Sequence, residues 1–298
     1  MVQENLKRFF YYINERHRIY LKREEGHSWP WTDDEILQTY SFCNVFRELD
    51  TVTQWIEDNW REPYADHPNL PFSMAVARQI NWPETLEEIG FPEEWEPERV
   101  KSIMQARMDR GDKVYTGAYM LTGTLGGTKV EQTVDKILTP LYKNQPTLHR
   151  DSLEKSWREY LPYAGFSGFM AYEVVSDLRW TVHLQNADDI YSWANAGPGA
   201  QRGLNRIHGR PVNQTIKTHQ LTEEMKDLLD LSTEIETYPS EEGMQDHLRY
   251  LAYWIDGLEM RDIEHCLCEY DKYERVRLGE GRPRAKYKYK GDKYASKF

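Results

Sequence analysis

Apolar residues along this chain recur mostly three and four positions apart, and alternating runs of β-branched residues are few. That rhythm belongs to helices that turn one face to a core, so the chain is expected to be mostly α. The clearest stretch is PWTDDEILQTYSFCNVFRELDTVTQWIEDNW, Pro30 to Trp60. Thr32 and Glu35 have capping-box spacing, and Phe42, Val45, Leu49, Val52 and Ile56 mark a core face. Ile36, Tyr40, Asn44, Arg47 and Thr51 form a second stripe that begins apolar and turns polar. Such a helix can rest on a core and line a pocket, or can simply turn Asn44 and Arg47 to water. Further helices are expected at about 71–81, 96–110, 130–142, 151–161, 221–236 and 241–272. Gly111 stands where a C-terminal cap belongs, and Thr222 and Ser240 where N-caps belong. No internal repeat is visible.

Composition narrows the class. With 298 residues, 29% charged and 39% apolar, the chain can form one large domain or two lobes around a cleft. No apolar run is long enough to span a bilayer, and the N-terminus has no signal-peptide core, so a soluble cytoplasmic protein is expected. Three cysteines, Cys43, Cys266 and Cys268, make no disulfide framework. The net charge of −11 is unevenly spread: residues 272–298 hold ten Lys/Arg against three acids, or +7, leaving −18 on the rest. The organisation expected is a single helical domain over 1–271, with two lobes, followed by a basic tail over 272–298. Tyrosines interleave the basic residues in RAKYKYKGDKY, a pattern suited to phosphates and stacked bases, although a solvated terminus would look the same. The glycines of TGTLGGTKV do not make a phosphate loop, because Gly127 is followed by Thr128 rather than by Lys and Ser/Thr.

Residues 151–179 read as a helix-hairpin-helix. Its turn is Gly165-Phe166-Ser167 followed by Gly168, and Ala171 is small enough to let the helices approach. An ordinary αα-hairpin is the alternative. Downstream, NAGPGAQRGLNRI opens a helix. Its free N–H groups, with Arg202, Asn205 and Arg206, would suit an anion. In helix-hairpin-helix DNA glycosylases this region carries a catalytic aspartate. Here that place falls near Gly197, and Asp188 and Asp189 are the rivals for the role. The expected fold is therefore DNA-glycosylase-like and two-lobed, holding a flipped base without excising it.

Four stretches carry a family resemblance: RHRIYLKR with the Pro30–Trp60 region, GFSGFMAYEVVSDLRW, AGPGAQRGLNRI, and DIEHCLCEYDKYERVRLGEGRPR. In order and content the chain resembles the phage α-glutamyl/putrescinyl thymine pyrophosphorylases, which are amino acid:DNA transferases. These are related to the helical domain of 5-hydroxymethyluracil DNA kinases. The resemblance implies thymidine hypermodification of double-stranded phage DNA. An amino acid or polyamine would replace pyrophosphate on the 5-methylene of a pyrophosphorylated 5-hydroxymethyluracil. It also implies a set of site residues. Arg47, with Gly197, Gly199, Arg202 and Arg206, would neutralise pyrophosphate. Asp50 or Glu269 would serve as base. Arg16 or Arg18 would hold an amino-acid carboxylate, and Asn44 a uracil edge. Cys268 could add to the uracil ring as a thiolate, or could be a structural cysteine. Gly165, Ser167, Gly168, Arg282, Arg284 and Lys286 would contact DNA. No His/Cys/carboxylate set shows ligand spacing, so no protein metal site is expected, and Mg²⁺ carried by pyrophosphate is the one ion the chemistry admits. A glycosylase and a non-catalytic module that recognises modified DNA are the competing functions. The nucleophile stays open among glycine, serine, glutamate and putrescine, with a small amino acid preferred.

Overall fold

In a computed structural model describing residues 1–117, 125–234, 257–281, 283 and 286–289, the regular structure is helical, apart from one isolated antiparallel bridge between Tyr40 and Lys286. The helices are α1 (Gln3–Glu24), α2 (Glu35–Thr39), α3 (Thr51–Ile56, continuing through Glu57–Arg61), α4 (Leu70–Ile80), α5 (Pro83–Ile89) and α6 (Pro97–Asp109). They continue with α7 (Lys129–Glu131, Gln132–Leu138 and Thr139–Lys143 in succession), α8 (Leu153–Tyr160), α9 (Gly168–Leu178), α10 (Pro198–His208), α11 (Thr218–Glu234) and α12 (Met260–Arg277). Among the described residues no helix is long and apolar enough to cross a membrane. The chain divides into two compact units, residues 1–50 with 191–298, and residues 51–190.

The first unit is built on aromatic packing. Phe9 and Tyr12 of α1 meet Tyr270 of α12 with ring centroids 5.3 and 6.1 Å apart, and Tyr12 also meets Tyr273 and Phe42. Two glycines let α10 lie directly on α12. A Cβ on Gly199 would stand 2.3 Å from Cys268 Sγ, and one on Gly203 would stand 2.4 Å from the Leu267 carbonyl oxygen. At the other end of α12, Glu259 and Asp262 form a capping box.

The second unit centres on α4 and α9, both buried along nearly their whole length. Arg78 and Asp177 pair inside it through two hydrogen bonds, with Thr53 Oγ1 accepting at 3.0 Å and Asn81 Oδ1 at 3.3 Å. α8, residues 161–167 and α9 make the hairpin. Gly165 has φ +78°, and a Cβ there would meet the Ile137 side chain at 2.5 Å. Its carbonyl accepts from Gln79 Nε2, and the Gly168 carbonyl accepts from Trp157 Nε1. Ala171 is fully buried.

The single helix expected over residues 32–60 is not formed. Residues 40–46 are non-helical and end in one tight turn, Arg47–Leu49. The apolar rhythm survives, but tertiary bonds take the backbone elsewhere, as described below. Asp34 rather than Thr32 caps α2, accepting from the N–H groups of Ile36 and Leu37, while Thr32 donates to Glu15. Thr222 lies inside α11, not at its start. Ser240 lies outside the described residues. Gly111 does close α6, with φ +79° and its N–H on the Met108 carbonyl. The boundary drawn at 271/272 falls within α12, whose last turns carry the first basic residues of the tail.

Candidate functional site

Residues 40–50 are held in the first unit by side chains from three directions. Asn44 Nδ2 donates to the Leu49 carbonyl at 2.6 Å, and Asn44 N–H donates to Asp50 Oδ1 at 3.0 Å. These two bonds close the loop on itself, the kind of local side-chain bonding that competes with a helix. From α1, the buried Arg16 guanidinium donates to the Phe42 carbonyl and, at 2.6 Å, to Asn44 Oδ1. From α12, Glu269 Oε2 accepts from the Cys43 N–H at 3.0 Å and from Lys272 Nζ at 2.7 Å. His265, one turn before Glu269 on the same helix face, meets the loop as well. Ligating atoms of Cys43, Asp50 and His265 all lie within 4.8 Å of one another.

Four residues that the sequence singles out, Arg16, Asn44, Asp50 and Glu269, are thus brought together around this loop. Arg47 stands at the turn and its charge reaches Cys43. Asn44 is engaged at both ends of its amide, so a uracil edge would have to displace one of these bonds. Arg18 is not part of the cluster and pairs with Glu15 at 3.3 Å. The sequence reading did not single out Cys43 or His265 as site residues. The signal available was the i, i+4 spacing of His265 and Glu269. Nothing in the sequence joins those two to residues 43–50.

A second cluster lies where α10 meets the neighbouring face of α12. The anion site expected there is already matched by the chain's own acids. Gly197 N–H donates to Glu264 Oε1 at 3.2 Å. Arg202 and Arg206 donate to the two oxygens of Asp271, which is fully buried, at 2.8 and 2.9 Å. Arg206 also binds Glu280 at 2.6 Å. Asn205 donates to the carbonyls of Val212 and Gln214 and fixes the turn after α10. Gly199 serves close helix packing. Arg202 keeps about a third of its side chain exposed, and is the residue of this group best placed to take up another anion.

Electrostatics bears on the cysteines of this region. Cys268 is open to solvent on one side and lies against Gly199 on the other. Desolvation, then the charges of Glu264 and Glu269, push its thiol up to about 12, so a ready thiolate nucleophile is not favoured there. Cys43 is also raised, by burial first and then by Glu269 and Asp50. His17, next to Arg16, is lowered to about 4 by burial and by that guanidinium.

The residues assigned to DNA fall in two places. Gly165, Ser167 and Gly168 form the hairpin turn of the second unit, with Ser167 as the N-cap of α9. Lys286 is exposed and pairs with Tyr40, the Tyr287 N–H donates to the Thr39 carbonyl, and Tyr289 stacks on Trp29 at 5.6 Å. This part of the tail is therefore docked. Arg282 and Arg284 lie outside the described residues. Of the rival glycosylase carboxylates, Asp189 is spent as a helix cap, accepting from Ser152 Oγ and from the N–H groups of Leu153 and Glu154. Asp188 is exposed.

The family model described as 5-hmdU DNA kinase, helical domain, matches residues 3–282. The chain belongs to this family. Among curated proteins, the 5-hmdU DNA kinase of Bacillus phage SP10 is 28% identical over 295 residues, covering 88% of this chain. The match takes in only 44% of the kinase, so the helical-domain chain spans less than half the length of that relative. No solved structure matches it. Membership in the helical-domain family agrees with the all-helical architecture. It reaches no further than the kinase relationship: the transferase family and the glycosylase-like fold remain resemblances.

Proposed function

We propose that this protein acts in the hypermodification of thymidine in phage DNA. In this reading it transfers an amine onto the 5-methylene carbon of a pyrophosphorylated 5-hydroxymethyluracil. The observation that carries the reading is the cluster at residues 43–50, where Asp50, Glu269 and the Arg16 guanidinium all bond to the loop that carries Arg47, in a helical-domain chain.

The reaction makes two demands. The amine must attack as the neutral base, so its proton passes to a carboxylate, Asp50 or Glu269. A new C–N bond forms at the methylene while the C–O bond breaks, and pyrophosphate leaves with the electron pair. Arginines that neutralise its growing charge lower the barrier most where water is scarce. Arg47 at the loop, and the partly exposed Arg202, fill that part. The hairpin at Gly165–Gly168 and the basic tail hold the DNA, and a free amino acid or polyamine supplies the amine. Cys268 is given no step in this reading.

The test is a nucleoside digest read by mass spectrometry. Purified protein is mixed with DNA bearing pyrophosphorylated hydroxymethyluracil and a pool of amino acids and polyamines. A new nucleoside with stoichiometric pyrophosphate is the expected result, and its mass names the amine. Unchanged nucleosides with retained DNA binding would make the protein a recognition module. Free base with abasic sites would make it a glycosylase, the reading that the use of Asp189 as a cap weighs against.

A further inference from the structure

Cys43 and Asp50 lie in one loop, and His265, far along the chain on α12, joins them only through the fold. Each offers one ligating atom, and the three atoms lie within 4.8 Å of one another. An ion at the centre of such a triangle is at most about 2.8 Å from each atom. Zinc bonds of roughly 2.0–2.3 Å to N, O and S then require each side chain to close by about 0.5–0.8 Å. Rotation about side-chain bonds supplies that much without moving α12 or the loop.

We infer that Cys43, Asp50 and His265 form a zinc-class metal site, with three protein ligands and an open fourth position. The donor set argues for the class of ion. Sulfur with imidazole suits zinc and its borderline-soft neighbours, whereas Mg²⁺ prefers six oxygens. A thiolate and a carboxylate also balance a divalent charge. Outer contacts orient two of the ligands: Asp50 Oδ1 accepts from Asn44 N–H, and the Cys43 backbone N–H is tied to Glu269. The Arg16–Asn44 bond in turn fixes Asn44. Three ligands with one position left for water or an anionic oxygen is the pattern of catalytic zinc, while closed sites of four ligands are structural.

The site rests on this geometry and not on the proposed reaction. One consequence does rest on that reaction: with Asp50 on the ion, Glu269 is the carboxylate left to accept the amine proton.

Cobalt(II) is the probe, because thiolate ligation gives it a charge-transfer absorption that oxygen and nitrogen ligands do not. The full chain, stripped with chelator, is titrated with Co²⁺ and then with Zn²⁺, and its folding is followed by circular dichroism. One Co²⁺ per chain with a thiolate band, displaced by Zn²⁺ and unaffected by excess Mg²⁺, is expected. Cys43→Ser should abolish the band, and Cys43→Ser and His265→Gln should each weaken binding by more than about 100-fold, beyond what loss of an outer-shell partner costs. Cys268→Ser should leave both unchanged. Absence of stoichiometric binding by the folded wild-type chain would overturn the site, as would a band that survives Cys43→Ser or is lost in Cys268→Ser. Displacement by Mg²⁺ would overturn the zinc class. None of these readings uses turnover, so failure here is distinct from failure of the transferase reading.

Discussion

Glu269 is held by the Cys43 N–H and the Lys272 ammonium. If it takes the amine proton, Glu269→Gln should lower the transfer rate by about 10²- to 10⁴-fold, the usual range for a general base. Because Gln keeps an acceptor for the Cys43 N–H, the loop should stay in place. Single-turnover rates at several amine concentrations check this, and a change confined to apparent amine affinity would leave Glu269 as a positioning residue only. His17 makes a separate statement at the same scale. Its ring is 3% exposed, lies beside Phe46 and Tyr20, and has no hydrogen-bond partner on either nitrogen. Its pKa falls from 6.5 to about 4 on folding. Between those values the unfolded chain binds a proton that the folded chain refuses. Stability is therefore full above pH 6.5 and falls as pH drops toward 4, by about 3 kcal/mol in all. His17→Phe should keep the packing and remove that dependence. Urea unfolding at pH 7 and 4.5 would show it, and equal losses in both proteins would refute it. What the sequence made legible here was uneven. Arg16, Asn44, Asp50 and Glu269 could be named through resemblance, whereas Cys43 and His265 acquire their meaning only when α12 is laid beside the loop.

At the level of elements, the apolar rhythm marked α4, α6, α7, α8 and α11, passed over α1 and α5, and misled over residues 40–50, where side chains compete for the backbone. Over residues 40–50 the Asn44 amide, the Asp50 carboxylate and the Arg16 guanidinium take up main-chain groups that a helix would have paired internally. A pattern of hydrophobic residues carries no sign of this, because the deciding partner, Arg16, comes from another helix. Gly199 was placed in an anion site for a related reason, its motif inviting one, yet it and Gly203 mark the close approach of two helices. Alanine at Gly203 would gain up to about 1 kcal/mol of helix propensity but would meet the Leu267 carbonyl, which belongs to a helix backbone that cannot turn aside. A net loss of about 1–3 kcal/mol is expected. Gly199→Ala meets chiefly the Cys268 thiol, so Cys268→Ala should recover part of its loss and none of the loss at Gly203. A double-mutant cycle of urea midpoints decides between them, since equal coupling at both positions would contradict the contact geometry.

For the whole molecule the question is how a chain carrying −18 over residues 1–271 can work on a polyanion. The +7 of residues 272–298 answers it if that segment makes the phosphate contacts. Its position is not arbitrary, for the Lys286–Tyr289 stretch is pinned to Thr39, Tyr40 and the Trp29–Trp31 aromatics. The alternative anchor, the hairpin at Gly165–Gly168, would grip through backbone N–H groups, whose contribution to counterion release is small. Ionic strength separates the two. Each neutralised phosphate contributes about 0.9 to the slope of log K against log salt. Changing Arg282, Arg284, Lys286 and Lys288 to Gln removes four charges and keeps the tyrosines that dock on the aromatics. If the tail holds the DNA, the slope should become shallower by about 3–4. If the hairpin does so alone, affinity and slope should both stay near wild type. Binding measured across a salt series, with unmodified DNA of the same length, is sufficient, because the term at issue does not depend on the base.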